Sequence, residues 1–147
     1  MGSVGRDEYF LDIAHLVKTR SSCLRRQVGC VLVNHRNHIV ATGYNGVPSG
    51  WQHCTEATCQ RSNSTSGHDL DLCLAIHAEQ NALLQCSDVY SVRTCYCTTW
   101  PCVWCIKLLM NTSCQRIVYS EDYTSPIDAH IWAMSGREVR CVSNNIS

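Results

Sequence analysis

The stretch TCYCTTWPCVWCIKLLMNTSCQRIVYS, residues 94–120, changes character twice. TCYCTT (94–99) is built of threonine, cysteine and tyrosine, a composition that suits a strand. Pro101 then interrupts it. A proline at a helix start costs no hydrogen bond, because the first N–H groups of a helix have no partner inside it. The spacing therefore predicts a helix over 102–112, and RIVYS (116–120) reads as a second strand. A strand, a helix and a strand in succession form a βαβ unit, which makes the two strands parallel.

The same alternation extends in both directions. Downstream, a helix is predicted over 126–135, starting at Pro126, followed by a last strand REVRCV (137–142). Upstream lies a helix over 77–87. Before it, VGCVLVN (28–34) and HIVATGY (38–44) read as a hairpin joined by His35, Arg36 and Asn37. Residues 8–19, EYFLDIAHLVKT, set Phe10, Ile13, Ala14 and Val17 at helical spacing, with Asp7 as the expected cap. The sum is a three-layer α-β-α sandwich around a mixed five-stranded sheet. Residues 45–72 carry turn formers and little apolar periodicity, so they read as a long loop that something must hold.

Composition narrows the function classes. The 147 residues are 45% hydrophobic, enough for one domain with a real core, over 1–147, with a cysteine-rich insert at about 45–73. Twelve Lys+Arg balance twelve Asp+Glu, and this lack of excess positive charge weakens a reading as a general nucleic-acid binder while leaving room for a small local basic site. No segment is long and apolar enough to span a bilayer, and the first residues contain no signal-peptide type of apolar run. The twelve cysteines are accordingly read as reduced thiols of an intracellular, cytoplasmic protein rather than as a disulfide framework. Cys30, Cys86, Cys95 and Cys97 sit in apolar runs and read as small buried hydrophobes.

Two short motifs carry chemistry. Cys102 and Cys105, at i and i+3, point to one face of a first helical turn and can take two corners of one metal. In LAIHAEQNALL (74–84), His77 and Glu79 are two apart, too poorly spaced to pair along a helix but suited to an object beyond its end. A parallel βαβ arrangement brings the two helix starts side by side. His77, Cys102 and Cys105 then form a Cys₂His set with a fourth position open, the pattern of a catalytic zinc site. Helix N-termini favour negative charge and help keep both cysteines as thiolates. Two thiolates cancel the charge of Zn²⁺, so such a site acidifies water less than an all-histidine site and needs a nearby base. Glu79 is that base, taking a proton from water and returning it to the substrate.

His77-Ala78-Glu79 followed by Pro101-Cys102-Val103-Trp104-Cys105 is similar to the H-x-E…P-C-x-x-C signature of the zinc-dependent cytidine deaminase superfamily. RRQVGCVLV, TGYNGVPSG, IHAEQNALLQC, TTWPCVWC and IVYSEDYTSP, in this order, resemble the deoxycytidylate (dCMP) deaminase family within it, including viral dCMP/dCTP deaminases. The resemblance implies hydrolytic deamination at cytosine C4, turning dCMP into dUMP and ammonia as a precursor for thymidylate, with Glu79 as proton shuttle. It also implies nucleotide contacts from Asn45, Ala78, Thr99, Trp100 and Tyr123. Asn45-Gly46 alone would read as a turn, and Trp51 and Trp100 suit either base stacking or the core. A deaminase acting on tRNA or single-stranded DNA shares the zinc signature and is the alternative.

A nucleotide substrate needs positive charge for its phosphate, for which Arg25 and Arg26, just before the first strand, are the candidates. Cys54, Cys59, His68 and Cys73 crowd the insert, and Cys23 matches a cysteine of family members with a second, structural zinc. The resemblance further implies dCTP and dTTP as effectors or substrate, Mg²⁺ with triphosphates, and a homo-oligomer, hexamer or trimer.

Overall fold

A hairpin opens the sheet. β1 (Gly29–Asn34) and β2 (Ile39–Tyr44) pair antiparallel. Asn34 Oδ1 accepts from the backbone N–H of Arg36 (2.9 Å) and of His38 (3.0 Å). Asn37 takes the left-handed φ of 62° that closes the turn, a conformation asparagine tolerates. This computed structural model describes residues 2–23, 26–50, 75–121 and 126–142, with the side chains of 126–129 left aside. Arg25, Cys54, Cys59, His68, Cys73 and Tyr123 lie outside the described residues, as does Trp51.

The remaining elements are α1 (Arg6–Lys18), α2 (Ala78–Gln85), β3 (Val92–Thr99), α3 (Val103–Met110), β4 (Arg116–Glu121), α4 (Pro126–Met134) and β5 (Glu138–Cys141). The strand order is β2-β1-β3-β4-β5. β1 is antiparallel to both β2 and β3, and β3, β4 and β5 are parallel to one another. β2 and β3 therefore run in the same direction, and α2 crosses over β1 to join them. α2 and α3 consequently start at the same end of the sheet. The mixed five-stranded sandwich expected from the sequence is the observed fold.

Strand alternation divides the core. Val31 and Val33 face α1, packing with Phe10, Leu11, Ala14, Tyr96 and Val118. Cys30 and Leu32 face the other layer, packing with Cys95, Cys97, Ile117, Ala78, Ala82, Ile106, Leu109 and Trp132. Gly29 lets α1 approach, since a Cβ there would stand 2.0 Å from the carbonyl oxygen of Ala14.

The expected cap of α1 is corrected. Gly5 is the N-cap and Asp7 lies inside the first turn. The Asp7 carboxylate is buried and accepts from Tyr96 Oη (2.7 Å) and Arg116 Nη2 (3.0 Å), with Arg140 as a further ion pair. Burial alone would raise its pKa, but hydrogen bonds from Arg116, Tyr96 and Arg140 outweigh it and hold it at about 2.

Candidate metal centre

Gly46 and Ile76 exchange both backbone hydrogen bonds, 3.1 Å and 2.7 Å, in an isolated bridge. His77 is the next residue and caps α2 with extended backbone (φ −70°, ψ 153°). Its N–H donates to Oε1 of Gln80, one turn on, at 2.8 Å. That reciprocal contact satisfies a backbone donor at the helix start and fixes the backbone from which the imidazole projects. Asn81 Nδ2 donates to the carbonyl of Tyr44 (2.9 Å), tying α2 to the end of β2. Cys102 caps α3, and Cys105 is the third residue of its first turn.

His77 Nδ1 lies 3.3 Å from Cys102 Sγ and 3.4 Å from Cys105 Sγ, and the three donor atoms lie within 4.8 Å of one another. Tetrahedral zinc, about 2.0 Å from nitrogen and about 2.3 Å from sulfur, requires donor atoms roughly 3.5 Å apart. The observed separations match, so these side chains fit a zinc ion without rearrangement. Hydrogen bonding to Cys105, with help from His77 and against burial, brings Cys102 down to about 4, while the Cys102 thiol and burial push Cys105 up. Among the described residues this is the one His/Cys/Asp/Glu cluster with such close donors.

Glu79 lies in the first turn of α2 and is only 4% exposed. Cys97 Sγ donates to its Oε1 at 3.1 Å, and Cys105 contacts the same carboxylate. Burial pushes the Glu79 pKa up, opposed by the hydrogen bonds from Cys105 and Cys97.

Residues 4–121 match the family model described as the cytidine and deoxycytidylate deaminase zinc-binding region. The chain belongs to that family. The deoxycytidylate deaminase of Schizosaccharomyces pombe is 43% identical over 128 residues, 84% of this chain and 39% of that protein. The deoxycytidylate deaminase of Mycobacterium phage D29 is 40% identical over 126 residues, 79% of this chain and 94% of the phage protein. A crystal structure of cyanophage S-TIM5 dCMP deaminase in complex with dCMP and dUMP superposes with a TM-score of 0.78 at 26% identity, covering 97% of this chain and all of that one. This chain thus spans well under half the length of the fungal relative and nearly the whole length of the phage proteins.

Within this deaminase family fold, Ala78, Thr99 and Trp100 are buried, each within three residues in the sequence of a member of the donor set. Ala78 opens α2, Thr99 closes β3, and Trp100 packs edge-on against Tyr119 with ring centroids 5.1 Å apart. Thr99 Oγ1 and Trp100 Nε1 are buried without a hydrogen-bond partner among the described residues. Such orphan polar atoms are costly unless something else satisfies them. Asn45 directly follows β2. Its Oδ1 accepts from Val28 N–H (2.9 Å) and its Nδ2 donates to the carbonyl of Arg26 (2.7 Å), so the side chain braces the chain entering β1. Arg26 and Cys23 are partly buried.

Gln80, Asn81 and Cys97 escaped the sequence reading. For Gln80 a signal existed, since glutamine three residues after a helix cap is the capping-box spacing. Cys97 reads as an inert hydrophobe until Glu79 is placed against it. Cys30 and Cys95 are buried as expected, their sulfurs 3.6 Å apart, whereas Cys86 is only partly buried.

Proposed function

We propose that the protein hydrolyses dCMP to dUMP and ammonia. The observation that carries this reading is the buried Glu79 carboxylate, hydrogen-bonded beside a His77, Cys102 and Cys105 set with zinc-matched separations. The relatives named as deoxycytidylate deaminases and the related phage enzyme crystallised with dCMP and dUMP supply the substrate.

His77, Cys102 and Cys105 would hold the zinc, which supplies a Lewis acid that lowers the pKa of water. Glu79 accepts a proton as water oxygen bonds to cytosine C4. It passes that proton to ring N3, then takes the proton of the new C4 hydroxyl and delivers it to the amino group, so that the C4–N bond breaks, ammonia leaves and the C4 carbonyl forms. Its burial keeps bulk water from competing for that proton. Thr99 Oγ1 and Trp100 Nε1 are unsatisfied polar atoms available to the substrate, with Ala78 at the start of α2 as a further contact. Arg26, with Arg25, serves the phosphate, and Asn45 reaches the nucleotide through the segment it braces. Tyr123 completes the phosphate side.

The same reading treats the chain as one domain over 1–147, with a structural zinc in its insert drawn from Cys23, Cys54, Cys59, His68 and Cys73. It extends to dCTP and dTTP as effectors, Mg²⁺ with the triphosphates and a trimeric or hexameric assembly in the cytoplasm. Among the described residues no helix is long and apolar enough to cross a membrane. The family resemblance supports these extensions, and light scattering with and without Mg²⁺ and each triphosphate tests the assembly.

A substrate panel tests the activity. Purified protein should turn over dCMP far faster than deoxycytidine or cytosine in single-stranded DNA. Arg26→Ala should narrow the gap between dCMP and deoxycytidine, since a hydrogen bond to a charged group contributes roughly 1.5–3 kcal/mol. If deoxycytidine is the better substrate, the nucleotide reading is wrong. The rate on dCTP decides between a dCMP-specific and a bifunctional enzyme.

A further inference from the structure

We infer that Cys97 is a positioning residue for Glu79, its S–H holding the carboxylate in the one orientation that faces the metal ligands. The inference rests on the deaminase reading for its consequence in turnover, but the contact itself is a property of the fold.

Cys97 lies in the central strand β3, opposite Cys30 of β1 and Tyr119 of β4. Strand pairing on both sides leaves its backbone no freedom, and its side chain is 0% exposed. Its sulfur is 3.1 Å from Glu79 Oε1, well inside the range for a thiol donor. Glu79 arrives from a helix on the other side of this contact, on a side chain with three rotatable bonds. No lysine or arginine pairs with Glu79 among the described residues, so its orientation depends on weaker contacts. Cys105 also reaches the carboxylate, but a cysteine that ligates zinc does so as thiolate and has no proton to donate. Cys97 is then the donor on the strand side.

A thiol suits this task. Its S–H is a weak donor, so it fixes direction while withdrawing little electron density from the carboxylate. An arginine in its place would hold Glu79 harder but would lower its basicity and spoil it as a proton carrier. Ala78, Ala82 and Trp100 belong to the same buried cluster, and Cys30 across the strand pair is itself hydrogen-bonded to the Cys97 sulfur.

The test compares Cys97→Val, which removes the donor and adds a methyl group, with Cys97→Ser, which keeps a donor. The valine variant should lose roughly tenfold in kcat, the size of one hydrogen bond to a charged group, with KM and zinc content unchanged. Cys97→Ser should recover most of that turnover. Full kcat in the valine variant overturns the inference, and so does a loss that serine fails to restore. A spectroscopic arm covers the case in which valine perturbs folding. The S–H stretching band that disappears in Cys97→Ser should lie at a hydrogen-bonded position in the parent and move towards that of an unbonded thiol in Glu79→Ala. A band that does not respond to Glu79→Ala sinks the inference whatever the kinetics. A parent inactive on every cytosine nucleotide, with the band shift present, overturns the deaminase reading and leaves the contact standing.

Discussion

The carbonyl oxygen of Ala78 lies 2.3 Å from the point where a Cβ on Gly43 would stand, and the backbone nitrogen of Ala82 lies 2.4 Å from it. The first turn of α2 therefore rests directly on β2, and both His77 and Glu79 take their position from that contact. The neighbours are backbone atoms, which cannot swing aside as a flexible side chain could.

Gly43→Ala should accordingly push α2 away from the sheet. The expected cost is about 1–3 kcal/mol of stability, typical of an added methyl group in a packed interior. Turnover should fall further than in an equally destabilised variant remote from the site, because the displaced element carries the acid–base group. Urea midpoints together with kcat check this, and a variant matching the parent in both would show that α2 is not held by this approach.

Acid stability should depend on Asp7. Its pKa is depressed from 3.8 to about 2 in the folded protein, so the stabilisation is full above the unfolded value and is lost as pH falls towards the folded one. A shift of nearly two units corresponds to about 2 kcal/mol. Asp7→Asn should be less stable than the parent at pH 7, and the gap should shrink between about pH 4 and pH 2. Unfolding free energies measured across that range decide it, and a gap that stays constant would place the effect of Asp7 elsewhere.

The sequence disclosed what depends on local pattern. The hairpin, the βαβ units and the two helix starts follow from period-2 runs, prolines and turn residues, and element ends came within about two residues. The His77, Cys102 and Cys105 cluster was legible because each motif is short and the topology then brings the two together. What escaped depends on residues distant in sequence. Asp7 looked like a cap because its partners Tyr96 and Arg116 lie 89 and 109 residues away. Cys97 is chemically the same residue whether it fills space or faces a carboxylate. Asn45 has the composition of a nucleotide-binding turn, yet both its polar atoms also serve the backbone of residues 26–28.

Glu79→Gln should abolish deamination and leave the metal bound. The amide keeps the shape and the hydrogen-bonding oxygen but cannot accept the proton, and Glu79 contributes no atom to the donor cluster. Cys102→Ala removes a ligand and should lose the metal and some stability with it. Turnover and zinc content are measured on both. Activity of Glu79→Gln within about tenfold of the parent would remove Glu79 as the proton carrier, since acid–base catalysis contributes roughly 10²–10⁴-fold.

The number of zinc ions per chain should be two. Gly46 and Ile76 pair directly before His77, with 29 residues between them in the sequence. Closing so long a segment costs entropy, and its sequence offers few apolar side chains to offset that cost. It does contain Cys54, Cys59, His68 and Cys73, and Cys23 lies before β1. Four thiolate and imidazole ligands make a closed site whose binding free energy contributes directly to folding. Elemental analysis of protein purified without added metal should give about two zinc ions in the parent and about one in Cys54→Ser, while Cys102→Ala should retain the insert's ion. A Cys54→Ser variant that also loses thermal stability but keeps His77 ligation would place the second ion in the insert. A parent value near one, unchanged in Cys54→Ser, would mean that these cysteines bind no metal.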